Sequence, residues 1–142
     1  MSKKLTPHFT VEELTHTDIQ ELQELNREEA PKDKLLKLAE FAEKVRAVLN
    51  CPMTITSGFR CEKLNNKIGG SPFSQHRLCE AIDFIPAKMS AKEAFTEIIV
   101  SGIEYGQLIL EKRGVGHILH ISMGTKRQKL YSEKGGQYAT IL

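Results

Sequence analysis

The sequence predicts a single α+β domain over residues 1–142, with helices mainly in its first half and a small, mostly antiparallel sheet after them. Three observations support this fold class. Helix-start signals and one long amphipathic pattern dominate the first half, and short alternating segments bounded by glycines dominate the second. No repeat, linker or low-complexity stretch interrupts the chain, and a hydrophobic fraction of 40% in 142 residues is enough for one core.

The early helices are predicted from their start signals and their apolar spacing. The TVEE run at residues 10–13 forms a capping box, which places the start of a short helix at Val11, and TDIQ at residues 17–20 marks a second start. After Pro31, apolar residues recur at helical spacing as far as Leu49. This pattern predicts the longest helix of the chain, with proline as a favourable residue at its start.

The later elements are mostly predicted strands. A short helix is expected between residues 62 and 68, and a capping box at residues 90–93 opens another helix that Gly102 ends. Four segments alternate in polarity, as strands with one buried face do, and a terminal β-hairpin is expected around Gly135-Gly136. The four predicted strands span residues 53–58, 81–85, 106–111 and 117–123.

Two histidines and one aspartate are the candidate metal ligands. Alternation places Asp83 and His120 each on one face of a predicted strand, so neighbouring strands would bring their Cβ atoms within about 5 Å of each other. His76 would enter from the loop before Asp83. Two imidazoles and a carboxylate are the ligand set of a catalytic zinc with one open position, one ion per chain. The spacing alone is equally compatible with a satisfied buried carboxylate and two incidental histidines.

A longer stretch carries a family resemblance. SGFRCEKLNNKIGGSPFSQHRLCEAIDF, at residues 57–84, is similar to the central signature of the zinc D-Ala-D-Ala carboxypeptidase family, which includes vancomycin-resistance dipeptidases and phage L-alanyl-D-glutamate endolysins. HILHIS resembles the later strand of that family, which carries the third ligand, and the opening HFTVEEL resembles its small, often phage-borne branch. The resemblance implies a hedgehog/D,D-peptidase-like domain in which the sheet carries a zinc site.

The resemblance also implies roles for individual residues. It makes His76, Asp83 and His120 the zinc ligands. Arg60 would polarise the substrate and Ser74 would hold it. On chemistry alone, the planar guanidinium of Arg60 suits a substrate carboxylate or a carbonyl oxygen that becomes negative, but an arginine there is also compatible with a solvated helix start. A loop serine by itself is usually a turn residue.

Two positions depart from the family pattern. The glycine after the first ligand is Cys79 here, a thiol that could compete with Asp83 as a soft ligand. The acidic general base, three residues before the last histidine, is His117 here. Because alternation turns His117 onto the face opposite His120, it would need a bulge to reach the metal, whereas Glu111 would need none. Both His117 and Glu111 are therefore candidate proton shuttles.

The predicted function is zinc-dependent hydrolysis of peptide bonds in bacterial peptidoglycan stem peptides, a substrate class that comes from the resemblance alone. The enzyme would be a D-Ala-D-Ala carboxypeptidase or a murein endopeptidase. One alternative is a non-catalytic, zinc-stabilised module that binds cell wall or belongs to a virion. Another is a plain soluble domain without metal. Metal content and hydrolysis separate these three hypotheses.

Composition and charge restrict the partners and the location. A formal net charge of +2 in 142 residues predicts no nucleic-acid partner, and no apolar run is long enough for a membrane span or a signal peptide. The chain is therefore expected to be made in the cytoplasm, as a monomer. If it is phage-borne, it would reach the cell wall through a holin, a virion or lysis. The three cysteines match no zinc-finger spacing and are expected to be buried thiols.

Overall fold

The computed structural model describes residues 3–134 and 137–140 and has an α+β architecture with a mixed sheet. By its backbone contacts the chain forms two compact units. The first comprises Met1–Glu43 and Ile55–Ile82, and the second comprises Lys44–Thr54 and Asp83–Leu142. The single domain over residues 1–142 stays a prediction.

The first unit contains most of the helices. Its elements are β1 (Lys4–Thr6), β2 (Phe9–Thr10), α1 (Val11–Leu14), α2 (Gln23–Glu29) and α4 (Glu62–Lys67), together with most of α3 (Lys32–Leu49). β1 and β2 form an antiparallel pair, and the capping box predicted at Thr10 and Glu13 is present at the start of α1. The second predicted helix start gives a turn of 3-10 helix, Gln20–Leu22, directly before α2.

α3 is the longest helix, as its apolar spacing predicts. It begins directly after Pro31, and its apolar residues Leu35, Leu38, Ala39 and Ala42 are each at most 2% exposed. These residues recur at helical spacing, so one stripe of the helix is buried while lysines and glutamates cover the rest. Burial of this stripe is what stabilises α3, since most of the stability of helices in proteins comes from the packing of an amphipathic face.

Residues 58–61 form a segment between β3 (Met53–Ser57) and α4, and this segment carries Arg60. The Phe59 N–H donates to the carbonyl oxygen of Leu14, at 2.8 Å, and so attaches the segment to the end of α1. A Cβ atom at Gly58 would clash with the same Leu14 carbonyl group. Only glycine therefore allows the segment to approach α1 this closely.

The second unit contains most of the sheet. Its elements are α5 (Ala91–Ser101), β5 (Gln107–Arg113), β6 (Gly116–Ser122), β7 (Gln128–Lys134) and β8 (Gln137–Thr140), together with the larger part of β4 (Ala81–Pro86). The strand order of the six-stranded sheet is β3-β4-β6-β5-β7-β8. β5 pairs antiparallel with β6, and β7 pairs antiparallel with β8, which confirms the predicted terminal hairpin. Its turn, at Gly135-Gly136, lies outside the described residues.

β5 and β7 pair in parallel, so the sheet is mixed, while the β5–β6 and β7–β8 pairs are antiparallel, as the sequence predicts for most of the sheet. Parallel neighbours need a long connection, and here that connection contains the whole of β6. The end of β6 and the starts of β5 and β7 lie at the same end of the sheet, so residues 123–127 suffice to cross it. Gly106 permits this crossing, because a Cβ atom there would crowd the Met123 carbonyl oxygen.

α5 begins and ends where its sequence signals predict. The Ser90 Oγ accepts a hydrogen bond from the Glu93 N–H, at 3.1 Å, and Gly102 ends the helix in the left-handed region with φ 75°. None of the helices in the described part of the chain is both long enough and apolar enough to cross a membrane.

Candidate metal centre

Asp83 and His120 lie side by side on neighbouring strands, Asp83 on β4 and His120 on β6. The His120 Nδ1 and the Asp83 Oδ1 are 2.9 Å apart, and because a carboxylate oxygen accepts, the imidazole donates in this bond. Both residues are buried, at 7% and 5% exposure. A buried carboxylate needs a partner, and this pairing supplies one.

His76 lies in the loop before β4, and three hydrogen bonds fix its ring and its backbone. Its Nδ1 donates to the Gly58 carbonyl oxygen at 2.8 Å, its backbone oxygen accepts from the Arg60 N–H at 3.1 Å, and its backbone N–H donates to the Ser74 Oγ at 3.2 Å. A carbonyl oxygen can only accept, so Nδ1 carries the proton. In the neutral ring Nε2 is then the basic nitrogen, and a backbone carbonyl group is one of the common partners that orient metal-binding histidines.

The three candidate ligands converge. One ligand atom from each of His76, Asp83 and His120 can be chosen so that all three lie within 4.8 Å of one another. Two ligands of a tetrahedral zinc with bonds of about 2.0 to 2.1 Å are about 3.3 Å apart, so small side-chain adjustments would let all three reach one ion. Two imidazoles and one carboxylate fit zinc chemically, and a fourth position is left for water or substrate.

Cys79 is not part of this cluster. Burial raises the pKa of its thiol to about 12, so the thiolate that would bind a soft metal is scarce at neutral pH. Its backbone has φ 61°, in the left-handed region that glycine adopts most easily. The glycine of the family pattern at this position therefore has a conformational reason, and this chain retains the conformation with cysteine.

Arg60 and Ser74 both lie next to His76 through backbone contacts. The Arg60 N–H donates to His76, and the Arg60 Nε donates to the Ser57 Oγ at 3.3 Å, which restrains the half-buried side chain near the end of β3. The Ser74 Oγ is the acceptor for the His76 N–H. Ser74 therefore stabilises the turn that delivers His76, whatever else its hydroxyl group binds.

Glu111 and His117 lie on opposite faces of the sheet. In the β5–β6 pairing, Ile109 is opposite His120, Glu111 is opposite Ile118 and Lys112 is opposite His117, with no shift in register. Glu111 therefore projects from the same face of the sheet as His120. The two residues are diagonal neighbours across the strand pair, whose Cα atoms are typically roughly 7 to 8 Å apart. The bulge that would turn His117 toward His120 is absent from this pairing.

His117 has a different environment from the candidate ligands. Its ring centroid lies 6.2 Å from that of Tyr131, and its Nε2 is buried with no hydrogen-bond partner among the described residues. Burial, followed by the charges of Lys92 and Lys112, lowers its pKa, so the ring is neutral at pH 7. Glu111, by contrast, is paired with Arg113 at 2.8 Å.

The hydrogen bond between His76 and the Gly58 carbonyl group could not be predicted from the sequence, because the two residues are 18 positions apart and no local pattern links them. The signal that the sequence offers is the SGFR run at residues 57–60, whose predicted role concerns Arg60 alone.

A buried cluster of two imidazoles and one carboxylate, the ligand types of catalytic zinc sites, defines the class of the protein as a candidate metalloenzyme. Comparison with known proteins then gives the family. The sequence profile of the peptidase M15 family matches residues 7–119, which is more than half of the chain. The chain belongs to this family of zinc peptidases. This match includes His76 and Asp83 and ends one residue before His120. A separate search of curated proteins found no match.

Proposed function

We propose that the protein is a zinc-dependent peptidase that hydrolyses peptide bonds in the stem peptides of bacterial peptidoglycan. The observation that carries this proposal is the buried convergence of His76, Asp83 and His120 in a chain of the peptidase M15 family. These side chains would hold the ion and leave one position open, as in catalytic zinc sites generally. A bound zinc ion would activate water at neutral pH and polarise a peptide carbonyl group.

Arg60 is the residue we assign to charge stabilisation on the substrate. Its guanidinium group offers several donors in a planar fork, which suits a carbonyl oxygen that becomes negative during attack. Its backbone N–H is bonded to the carbonyl oxygen of His76, so the position of Arg60 along the chain is tied to that of a proposed ligand.

Glu111 is the residue we assign to proton transfer. A carboxylate on the His120 face can accept a proton from the attacking water and pass it to the leaving amine, and only 13% of the Glu111 side chain is exposed. The neutral His117 faces the other way, so we assign it no catalytic step. This assignment favours the enzyme over the non-catalytic module, because an acidic group is available on the site face although the family position holds histidine.

The substrate class rests on the resemblance of residues 57–84 to enzymes that cleave D-Ala-D-Ala and L-alanyl-D-glutamate bonds. Ser74 would contact the substrate with its hydroxyl hydrogen, since its oxygen accepts from His76. We propose that the protein acts as a monomer, made in the cytoplasm and carried to the wall by lysis or in a virion.

Hydrolysis of purified peptidoglycan and of synthetic stem peptides tests this function. The zinc-loaded protein is expected to release new amino groups, a chelator should abolish the release, and added zinc should restore it. Mass spectrometry of the products assigns the bond, because loss of a terminal D-alanine and cleavage between L-alanine and D-glutamate give different masses.

Arg60→Ala provides an internal check. Turnover should fall about 100- to 1,000-fold, the usual effect of removing one donor to a developing oxyanion, while zinc content stays the same. Arg27→Ala, which removes an exposed arginine from α2, is the control for loss of charge. A protein with full zinc that binds cell wall but cleaves none of these substrates would refute the enzyme and support the non-catalytic module.

A further inference from the structure

We propose that Asn26, on α2, is a positioning residue for the metal centre: it holds the segment 58–61, which in turn orients His76 and Arg60. The consequences for zinc binding and turnover rest on the proposed function. The consequence for the ring of His76 does not, and it can be measured in the metal-free protein.

The side-chain amide of Asn26 makes three hydrogen bonds in a fully buried position. Its Nδ2 donates to the carbonyl oxygens of Thr15, at 2.7 Å, and Phe59, at 2.9 Å, and its Oδ1 accepts from the Cys61 N–H at 2.7 Å. Asn26 has 0% exposure. Every polar atom of the amide is thus used, and losing one of these bonds would leave a buried polar group unsatisfied.

The two bonds to the segment are on either side of Arg60. One goes to the carbonyl group of the residue before it and the other to the N–H of the residue after it. The Arg60 N–H itself points to the carbonyl oxygen of His76. Asn26 therefore fixes the peptide groups that flank Arg60, while Arg60 is bonded to the backbone of a proposed ligand.

The same segment fixes the ring of His76. The His76 Nδ1 donates to Gly58, the residue next to Phe59, so displacement of Phe59 would move the acceptor of that bond. Leu14 holds the segment through the Phe59 N–H, but it makes no bond to Cys61 that the structure shows. Asn26 thus bonds both Phe59 and Cys61 with one side chain. The 2.8 Å bond from His76 to the Gly58 carbonyl oxygen sets which ring nitrogen of His76 carries the proton.

Asn26→Asp is the sharpest variant because it preserves the shape and the acceptor for the Cys61 N–H. It removes the Nδ2 donor and brings a carboxylate oxygen to the carbonyl groups of Thr15 and Phe59. Two hydrogen-bond acceptors that face each other repel, so the segment 58–61 should move away from α2. Asn26→Ser, which is neutral and smaller, is the second variant if the aspartate prevents folding.

Leu38→Ala is the matched control for general loss of stability. Leu38 has 0% exposure on α3, it makes no part of the proposed site, and its truncation destabilises through a cavity. A residue with a merely structural role would behave like Leu38: the variant would unfold more easily, but its folded, zinc-loaded form would retain affinity and turnover.

Three measurements on the full chain test the proposal. Long-range ¹H–¹⁵N NMR of the metal-free protein should show the His76 proton on Nδ1 in the wild type and in Leu38→Ala, and a mixture of tautomers in Asn26→Asp. Zinc dissociation constants, from competition with a chelator, should rise about 10- to 100-fold in Asn26→Asp only, as is typical when support of a ligand is lost. The kcat of the zinc-saturated variant should also fall.

The outcomes separate this inference from the proposed function. If wild-type protein binds zinc but cleaves no peptide, the proposed function is wrong. The His76 tautomer and the zinc affinity of the variants then still test whether Asn26 positions the metal centre. If folded Asn26→Asp, or Asn26→Ser in its place, matches Leu38→Ala in His76 tautomer and zinc affinity, Asn26 only stabilises the fold and the inference is wrong.

Discussion

The two histidines of β6 lie on opposite faces of the sheet. His120 and His117 are three residues apart, and in an unbroken register such residues project from opposite faces of a strand. Glu111 shares the face of His120, whereas His117 lies against Lys112 and Tyr131 on the other. The acidic group near the site is therefore supplied by the neighbouring strand β5.

Substitution at these two positions should give unequal effects. Glu111→Gln is expected to lower kcat by about 100-fold or more, the usual contribution of general acid–base catalysis, because the amide cannot accept the proton. His117→Gln should change kcat little. Turnover of a stem peptide, with zinc content measured for each variant, makes the comparison. A larger loss for His117→Gln would assign the shuttle to His117 and would require a bulge in β6.

At the scale of elements, the segment 58–61 is the connection that most directly supports the site. It is bonded to Leu14 at the end of α1, to Asn26 on α2 and to His76. Its first residue is glycine because the backbone of Leu14 occupies the place of a side chain. Close packing of this backbone therefore fixes the carbonyl group that orients His76.

Gly58→Ala should destabilise the protein by roughly 1 to 3 kcal/mol, the usual cost of forcing an extra methyl group into a packed site. Gly116→Ala is the matched control, because a Cβ atom there meets nothing within 4 Å and the backbone is not left-handed. The control should stay within about 0.5 kcal/mol of wild type. Chemical denaturation measures both, and equal stability of the two variants would show that α1 does not approach Gly58 closely.

At the scale of the whole molecule, metal binding should be coupled to folding. The candidate ligands are residues 76, 83 and 120, so they are far apart in an unfolded chain and only the folded chain brings them together. An ion that binds the folded state alone stabilises it by mass action.

Zinc at 100 times its dissociation constant should raise the free energy of unfolding by about 2.7 kcal/mol, and a chelator should reverse this gain. Asp83→Ala should weaken zinc binding by at least about 10-fold, since the loss of a supporting group alone typically costs about 10- to 100-fold and this variant removes the only anionic ligand. Thermal unfolding with and without zinc measures the effect. Cys79→Ser is the control and should retain the full shift. If Cys79→Ser loses the metal while Asp83→Ala keeps it, the ligand assignment is wrong.

Several helices and strands of this protein could be predicted from its sequence, because the interactions that form them join residues close together in the chain. The capping box at residues 10–13 joins neighbours in the chain, and the apolar stripe of α3 repeats within each turn. Alternation along β4 and β6 placed Asp83 and His120 each on a single face, and the structure brings these two side chains together. The α+β class and the faces of Asp83 and His120 depend on such short-range patterns, whereas the choice of His76 as third ligand depends on the family resemblance.

Only the tertiary structure decided the features that depend on partners distant in sequence. The parallel pairing of β5 with β7 follows from where residues 123–127 cross the sheet, which no alternation pattern encodes. The unbroken register of β6 against β5 decided the face of His117. Asn26 bonds the N–H of Cys61, 35 positions away, and a buried asparagine within a short helix carries no signal of such a partner. The physical reason is that hydrogen bonds between distant segments form only when the packed chain brings their groups together.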